Sequence, residues 1–297
     1  MPTRARVWLH GWLKRLTPAG PRGRLSAWLR AKGFKPDAHY KLRIEYPTSA
    51  SNAPRWNPHP ELERIIASGE ETYRRALETI AAYGDALGAI PLQADDPREP
   101  SWDNEWLPPL DGAALYAFIR SRSPGLYMEV GSGNSTKFAA RARRDGALET
   151  RIVSIDPEPR AEVDELCDRV LRAPLETADT SVFGELADGD VLFVDGSHRV
   201  FMNSDATVFF LEVLPQLAAG VLVGVHDVFL PYDYPHDFAD RYYSEQYLVA
   251  AHLLAGNPAL ETVLPAYYAS RRMSPGPPAQ GLEPHGSAFW FRTGARS

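Results

Sequence analysis

From residue 126 onward, short apolar runs alternate with segments whose apolar residues recur every three or four positions. The runs of strand length are residues 126–129, 151–155, 171–175, 191–194 and 221–225, and the segments of helical spacing are 137–144, 160–170 and 205–217. This alternation predicts a parallel sheet with helices on both faces. Two further strand-like stretches, 261–268 and 287–292, flank a segment rich in Pro and Gly.

The first 125 residues show helical spacing in three places. Residues 59–86 predict one or two helices that could cap a substrate, and residues 111–121 predict a helix leading into the first strand, after a loop at 88–109. Leu9, Trp12, Leu13 and Leu16 predict a basic amphipathic helix. That helix could bind an anionic membrane or an acidic partner, or dock on its own domain or a second subunit. Residues 17–60 are expected to form an irregular extension.

The composition is that of an ordinary globular protein, with 44% hydrophobic and 24% charged residues. A single cysteine, Cys167, excludes an internal disulfide and a cysteine-based zinc cluster, and its helical context predicts core packing. No apolar run has the length of a membrane span, and His10, Lys14 and Arg15 interrupt the first apolar segment too early for a signal peptide. These features favour a cytoplasmic protein.

The net charge of −6 is unevenly distributed. Residues 1–60 carry twelve Lys or Arg against two acids, whereas the remainder carries 20 against 36. Broad nucleic-acid binding is not expected of an acidic body, because affinity for phosphate backbones comes mostly from cationic side chains. The basic N-terminus could still make peripheral contact with an anionic membrane or an acidic partner.

A glycine-containing turn joins the strand at 126–129 to the next helix. Gly131 and Gly133 allow a ligand to approach the backbone, and Ser135 or Thr136 can cap a helix whose free N–H groups face that ligand. Thr136 replaces the third glycine of the dinucleotide fingerprint. Glu129 would repel a pyrophosphate, so the turn favours a positively charged, amino-acid-bearing ligand.

The pattern Glu129-x-Gly131-x-Gly133 resembles the first motif of class I S-adenosylmethionine-dependent methyltransferases. Segments ending in Asp156, in Asp195-Gly-Ser-His198 and in His226-Asp227 are similar to the ends of their second, fourth and fifth strands. Together these motifs are most similar to the small-molecule O-methyltransferase branch that includes macrolide-sugar methyltransferases, over residues 108–293.

The resemblance implies an α/β fold of Rossmann-like type, doubly wound, with a mostly parallel seven-stranded sheet that ends in an antiparallel pair, plus a helical N-terminal extension. The expected organisation is a basic extension (1–60), a helical cap and linker (61–110) and a catalytic domain (111–297). The expected cofactor is S-adenosyl-L-methionine. The predicted cofactor-binding residues are Glu129, Gly131, Ser132, Gly133, Asn134, Ser135, Asp156, Glu176 and Asp195.

Asp156 is predicted to accept hydrogen bonds from ribose hydroxyls, because it follows the second strand at the carboxyl edge of the sheet. The alternative is a turn aspartate before Pro157. Glu176, after the predicted third strand, could lie near the adenine.

Asp195 and His198 are the predicted catalytic residues, because methyl transfer needs an oriented acceptor and a base. An imidazole can take a proton near neutral pH, so His198 is the candidate base. The alternative is structural: Asp195 holds a turn and His198 packs beneath the following helix.

A divalent metal, Mg²⁺, is a second possibility at this edge, with Asp195, His226 and Asp227 as ligands. Relatives that bind a metal commonly have an acidic pair at the last position. Here the first member is His226, which weakens the case for a hard cation.

The stretch 229–247 is dense in aromatic residues and acids. Its functional interpretation is a lid that walls the acceptor pocket with Tyr232, Tyr234, Tyr242 and Tyr243, of which Tyr232 and Tyr234 are the predicted substrate contacts. The alternative is a loop leading to a helix whose aromatics are core residues.

Methyl transfer to a small or medium polar acceptor, at a hydroxyl, is therefore the leading hypothesis, and a homodimer is compatible with it. One alternative is an inactive cofactor-binding protein recruited to a membrane or partner by its basic N-terminus. A weaker one is an NAD-dependent oxidoreductase, which Thr136 and Glu129 disfavour.

Overall fold

The computed structural model describes residues 57–159, 161–257, 260–279 and 281–295. The predicted amphipathic helix at 7–16, and all but the end of the predicted extension at 17–60, lie outside these ranges. Among the described residues, no helix is long and apolar enough to cross a membrane.

One mixed sheet organises the described residues. Its strands are β1 Leu126–Val130, β2 Arg151–Ile155, β3 Arg169–Leu171, β4 Val191–Val194, β5 Leu222–Val225, β6 Leu260–Pro265 and β7 Phe289–Thr293. Their order is β3-β2-β1-β4-β5-β7-β6. The first five strands in this order are parallel, and β7 runs antiparallel to both β5 and β6. The predicted seven-stranded sheet with a final antiparallel pair is confirmed.

Helices cover the sheet and connect its strands. They are α1 Pro60–Ala67, α2 Glu70–Ala81, α3 Gly84–Gly88, α4 Pro109–Arg122, α5 Asn134–Asp145, α6 Asp205–Val208, α7 Gln246–Leu254 and α8 Ala266–Arg272. Helix α6 continues as a π-helical turn, Phe209–Val213, and a 3-10 turn, Leu214–Gln216. Helix α2 packs on α4 and β6, and α1 packs on α7. The N-terminal helices are therefore attached to the same core as the sheet.

The core lies on both faces of the central strands. All residues of β1, β4 and β5 are buried, as expected for parallel strands covered by helices. Trp290 of β7 packs edge-on against Phe118 of α4, with ring centroids 5.1 Å apart, and lies 5.5 Å from the ring of Phe193. Gly224 makes room for this packing, because a Cβ there would lie 2.7 Å from the Trp290 ring and 2.8 Å from the Phe193 ring.

Two sequence predictions are wrong between β2 and β4. In place of the α-helix predicted at 160–170, the described residues 161–170 contain one 3-10 turn, Asp164–Leu166, and the third strand is Arg169–Leu171 rather than 171–175. Asp168 explains the change, since its backbone N–H donates to the Ile152 carbonyl at 2.8 Å and its carboxylate accepts the Ile152 N–H at 2.7 Å. This pairing with β2 holds the segment extended.

The strand-like stretch at 261–268 is also shorter than predicted. The strand ends at Pro265, and α8 begins at Ala266. The apolar and aromatic residues that suggested a longer strand instead pack from a helix, where Tyr268 lies edge-on to Tyr73 at 6.3 Å.

Candidate active site

The carboxyl ends of β1, β2, β4 and β5 meet at one edge of the sheet, as predicted. The segments after these strands carry the Gly131 turn, Asp156, Asp195 and the pair His226-Asp227. Among the described residues, a smaller and a larger cavity open along this edge.

Gly131 allows β1 and β4 to come together at the start of the turn. Its φ of +80° lies in the left-handed region, and a Cβ would collide with the carbonyl oxygen of Asp195. The Asp195 N–H donates to the Val130 carbonyl at 2.8 Å, and the Gly131 N–H donates to the Ile155 carbonyl at 3.0 Å. Neighbouring strands are thus tied to each other where the turn begins.

Thr136 and Glu129 stabilise the turn through side-chain hydrogen bonds. The Gly133 N–H donates to Thr136 Oγ1 at 3.1 Å, and Thr136 Oγ1 donates in turn to the Glu129 carboxylate. Tyr127 and Ser135 donate to the other carboxylate oxygen at 2.8 and 3.0 Å. Burial raises the pKa of Glu129 to about 7 although these hydroxyls act in the opposite direction. Thr136 therefore stabilises the turn through its hydroxyl, at the position where a dinucleotide fingerprint has glycine.

The smaller cavity, of about 280 Å³, lies beside this turn. Of the predicted cofactor-binding residues, it is lined by Gly131, Ser132, Asp156, Glu176 and Asp195. Asp156 accepts the Ser132 N–H and the Glu158 N–H, both at 2.7 Å, on its two carboxylate oxygens. Each oxygen retains capacity for a further donor.

The other predicted cofactor-binding residues do not line this cavity. Glu129 is completely buried, Ser135 donates to it, and the Asn134 amide donates to Asn104 at 3.2 and 3.3 Å. Gly133 differs, because a Cβ there would meet no protein atom within 4 Å. These side chains shape the turn in the structure, and their contact with a ligand stays a prediction.

The larger cavity has a volume of about 720 Å³. Aromatic rings wall it: Trp102, Trp106, Phe229, Phe238, Tyr243 and Tyr267. Asp103, Glu105, Asp237 and Glu283 add acidic groups, and Arg241 contributes a guanidinium 3.8 Å from the centroid of Phe238. The loop before α4, which sequence reasoning left without a role, thus supplies one wall of the cavity.

The lid prediction is only partly met by this geometry. Tyr243 lines the larger cavity, but Tyr232 and Tyr234 do not, and they are only 9% and 5% exposed. The Tyr234 hydroxyl accepts the Gln246 N–H at 3.0 Å, and the Tyr232 ring packs edge-on to Tyr267 at 5.8 Å. The structure thus places both rings in interior packing outside the larger cavity, and contact of Tyr232 and Tyr234 with a substrate stays a prediction.

Asp195 lines both cavities, and a cluster of imidazoles and carboxylates surrounds it. His198 Nε2 lies 3.0 Å from Asp195 Oδ1 and 3.6 Å from Asp227 Oδ2. His226 Nδ1 lies 3.4 Å from Asp195 Oδ1 and 3.7 Å from Asp227 Oδ1. The structure brings together the four residues that the sequence placed at the ends of β4 and β5.

Electrostatics favour the charged forms within the cluster. Burial alone would lower the pKa of His198, but its hydrogen bonds to Asp195 and Glu245 outweigh burial and hold that pKa well above its ordinary value. The pKa of His226 is also held well above its ordinary value, since Asp227 and Asp195 outweigh the opposing effect of burial. The pKa of Asp195 is lowered by the two histidines against the effect of burial.

Two buried carboxylates that contact the histidines were not predicted from the sequence. Glu245, 2% exposed, lies 2.9 Å from His198 Nδ1. Asp111, fully buried in the first turn of α4, lies 3.4 Å from His226 Nε2 and accepts the N–H groups of Ser287 and Ala288 at 2.7 and 3.0 Å. An acid in the first turn of an apolar helix was the only visible signal for Asp111, and it is equally typical of an ordinary helix start.

The cluster has the donor set of a metal site. One ligand atom each from Asp195, His198 and His226 lies within 4.8 Å of the others. The predicted set of Asp195, His226 and Asp227 overlaps with it. His226 Nδ1 is moreover buried and has no hydrogen-bond partner. The residues present therefore fit a bound divalent ion.

Part of the chain matches a known protein family. Residues 128–228 match the family described as Methyltransferase domain. This match runs from within β1 to just past β5 and includes both His-Asp segments, and it confirms the predicted resemblance to class I methyltransferases. No curated protein matches the chain.

Several solved structures resemble the chain at low identity. An O-methyltransferase from Bacillus cereus in complex with SAH is 16% identical, with a TM-score of 0.40, over 74% of this chain and 91% of that chain. An SAH-bound methyltransferase from Podospora anserina is 17% identical, with a TM-score of 0.40, over 86% and 100%. The O-methyltransferase TomG from Streptomyces achromogenes, involved in tomaymycin synthesis and in complex with SAM, is 16% identical, with a TM-score of 0.35, over 80% and 99%.

Proposed function

We propose that the protein transfers the methyl group of S-adenosylmethionine to a hydroxyl of a small or medium polar acceptor. The observation that carries this proposal is the position of Asp195, which lines both the smaller cavity beside the Gly131 turn and the larger aromatic cavity. Methyl transfer requires cofactor and acceptor to meet at one point, because the acceptor oxygen must attack in line with the sulfonium. Two cavities that share a residue provide such a point.

The smaller cavity is the proposed cofactor site. Asp156 offers carboxylate oxygens to the ribose hydroxyls, and Glu176, which also lines the cavity, contacts the adenine in this proposal. Gly133, whose missing side chain leaves open space at the start of α5, allows the methionine portion to approach the backbone. Glu129 acts through the turn, since its carboxylate fixes Thr136 and Ser135.

The larger cavity is the proposed acceptor site. Its aromatic walls provide apolar contact, and its carboxylates can accept hydrogen bonds from hydroxyl groups of the acceptor. Residues 61–110 contribute the Trp102 and Trp106 wall, which is consistent with their proposed role as cap and linker to a catalytic domain at 111–297.

The role we propose for His198 differs from general-base catalysis. Both of its ring nitrogens lie against carboxylates, and its pKa is held well above the ordinary value, so it carries a proton in this arrangement. An imidazolium cannot accept another proton. Asp195 and Asp227 instead receive the hydrogen bond of the acceptor hydroxyl, and Asp227 takes its proton during transfer.

A divalent ion fits the same place. Asp195, His226 and Asp227 would hold it, and when bound it would lower the pKa of a hydroxyl that contacts it. The residues on this chain orient the acceptor towards the smaller cavity, whether they act with such an ion or through their own hydrogen bonds.

The test is product formation from labelled cofactor. The full-length protein is incubated with methyl-labelled S-adenosylmethionine and a panel of hydroxylated compounds, and labelled product is followed by mass spectrometry. We expect Asp195→Ala to lower the rate about 10²- to 10⁴-fold. The matched control Asp179→Ala replaces an aspartate that caps a short helix by accepting the Ser181 N–H, and it should retain the wild-type rate. Transfer to nitrogen or carbon only, or equal rates for Asp195→Ala and wild type, would contradict the proposal.

A further inference from the structure

The side chains around Asp195 are spaced like the ligands of one metal ion. Two ligand atoms bound to a common ion at about 2.1 Å lie about 3.0 Å apart at a right angle and about 3.4 Å apart at a tetrahedral angle. Asp195 Oδ1 lies 3.0 Å from His198 Nε2 and 3.4 Å from His226 Nδ1. Asp227 is slightly farther away, at 3.6 and 3.7 Å from the same nitrogens. The ligand atoms of Asp195, His198 and His226 all lie within 4.8 Å of one another, and Asp227 lies beside them.

His226 provides an independent sign that the cluster is built for a ligand. The residue is 2% exposed, and its Nδ1 lies 3.4 Å from Asp195 and 3.7 Å from Asp227, too far from either carboxylate for a well-formed hydrogen bond. A buried polar atom without a partner costs free energy, and few such atoms occur in native proteins. An ion bound to Nδ1 would satisfy it.

Each histidine is also held from behind by a buried carboxylate. Glu245 contacts His198 Nδ1 at 2.9 Å, and Asp111 contacts His226 Nε2 at 3.4 Å. Metal-binding histidines typically donate their second ring N–H to a carboxylate, which orients the ring and increases its basicity as a ligand. The arrangement thus points His198 Nε2 and His226 Nδ1 towards the same position.

The chemistry of the donors decides which ion fits. Mg²⁺ prefers oxygen ligands and retains several waters, whereas imidazole nitrogen favours transition ions in the order that runs from Mn²⁺ up to Cu²⁺. Two of the four donors here are nitrogen. The Mg²⁺ expected from the sequence is therefore the poorer match.

We propose that Asp195, His198, His226 and Asp227 bind a divalent transition ion, such as Mn²⁺, Fe²⁺, Co²⁺ or Zn²⁺, in preference to Mg²⁺, with Asp111 and Glu245 as positioning residues. All four ligands line the larger cavity, so the ion keeps an open side towards an acceptor. This inference deepens the proposed function, because it places the ion where the acceptor hydroxyl would lie. It also gives His198 a role as a ligand, and its Nε2 would release its proton when the ion binds.

The test is metal binding by the full-length protein after treatment with a chelator, without cofactor or acceptor. Titration with Co²⁺ is followed by visible absorption, and calorimetry compares Co²⁺ and Mn²⁺ with Mg²⁺. We expect one Co²⁺ per chain with a d–d spectrum distinct from that of the aqueous ion, and Mg²⁺ binding at least about 100-fold weaker. Because S-adenosylmethionine is absent, failure here leaves the proposed methyl transfer to its own test.

Two variants and a control distinguish metal binding at the cluster from adventitious binding elsewhere. His226→Glu replaces a nitrogen donor by oxygen and should reduce the preference for Co²⁺ over Mg²⁺ at least about tenfold. Asp111→Asn removes no ligand, and it should weaken Co²⁺ binding about 10- to 100-fold and shift the spectrum. His252→Ala, in a ring that stacks on Phe210 at 6.0 Å, should bind Co²⁺ like the wild type. Equal affinities for Mg²⁺ and Co²⁺, no Co²⁺ binding by the folded wild type, or unchanged binding in both cluster variants would overturn the proposal.

Discussion

The two cavities at the sheet edge are built in different ways. The smaller one is made from short segments that follow β1, β2, β3 and β4, and neighbouring segments are joined by backbone hydrogen bonds such as Asp195 N–H to the Val130 carbonyl and Gly131 N–H to the Ile155 carbonyl. The larger one collects side chains from distant parts of the chain, including Trp102, His226 and Tyr267. The turn beside the smaller cavity is therefore set by local chemistry, while the larger cavity depends on tertiary packing. Substitutions in the two regions should have separable effects.

Gly131→Ala should have the largest effect on stability, because it disturbs the backbone of the turn after β1. The residue has a φ of +80°, and the new methyl group would collide with the Asp195 backbone. We expect a loss of at least about 3 kcal/mol in the free energy of unfolding, measured by urea denaturation. Gly184→Ala is the matched control, since a Cβ there meets no atom within 4 Å. Similar stability of the two variants would mean that the turn can rearrange.

Glu129 should make stability depend on pH. Its pKa is raised from 4.5 to about 7 by burial, so the folded state holds a proton that the unfolded state has released between these values. The contribution is fully present below pH 4.5 and is lost as the pH rises through 7. Relative to Glu129→Gln, the wild type should lose about 3 kcal/mol of unfolding free energy between pH 4.5 and 8. Parallel stability curves for the two proteins would show that the carboxyl does not titrate in this range.

Asp111→Asn should affect the larger cavity selectively. Its carboxylate accepts the N–H groups of Ser287 and Ala288 and contacts His226, and an amide cannot serve all three with acceptor atoms. We expect a loss of about 2 kcal/mol in unfolding free energy, with the affinity for S-adenosylmethionine changed less than about threefold. A large loss of cofactor affinity in the folded variant would show that the two cavities are coupled.

Tyr234→Phe should have the smallest effect and tests whether this aromatic residue contacts the acceptor. The variant removes the hydroxyl that accepts the Gln246 N–H, so unfolding free energy should fall by about 1 kcal/mol. Because Tyr234 does not line the larger cavity, the KM for an acceptor should stay at the wild-type value. Tyr243→Phe, whose ring lines the cavity, is the comparison. An increase in KM confined to Tyr234→Phe would restore the residue as a substrate contact.

The same difference between the regions explains what could be predicted from sequence. The strands β1, β2, β4 and β5 and the residues that follow them are visible as apolar runs ended by glycine or acid, so Asp156, Asp195 and His226 could be placed at one edge. Asp111 and Glu245 could not, because nothing local shows that a helix start and a lid acid will be buried beside histidines.

The absence of an α-helix at the described residues 161–170 and the packing of the aromatic residues at 229–247 could not be predicted for a related reason. The spacing at 160–170 is typical of a helix, but pairing of Asp168 with β2 competes with helical hydrogen bonds and prevails. The aromatics at 229–247 were equally compatible with a wall or a core, and only packing places Tyr234 inside and Tyr243 at the cavity. Tertiary contacts decide such cases.

The most direct test of the account is calorimetric titration of the full-length protein with S-adenosylmethionine, and separately with NADH. We expect one S-adenosylmethionine per chain and no NADH binding. Asp156→Ala should bind S-adenosylmethionine at least about tenfold more weakly, because hydrogen bonds to a charged group are worth about 1.5–3 kcal/mol. Asp179→Ala should bind it like the wild type. Failure of the wild type to bind S-adenosylmethionine, or equal affinity in Asp156→Ala, would contradict the assignment of the smaller cavity as the cofactor site.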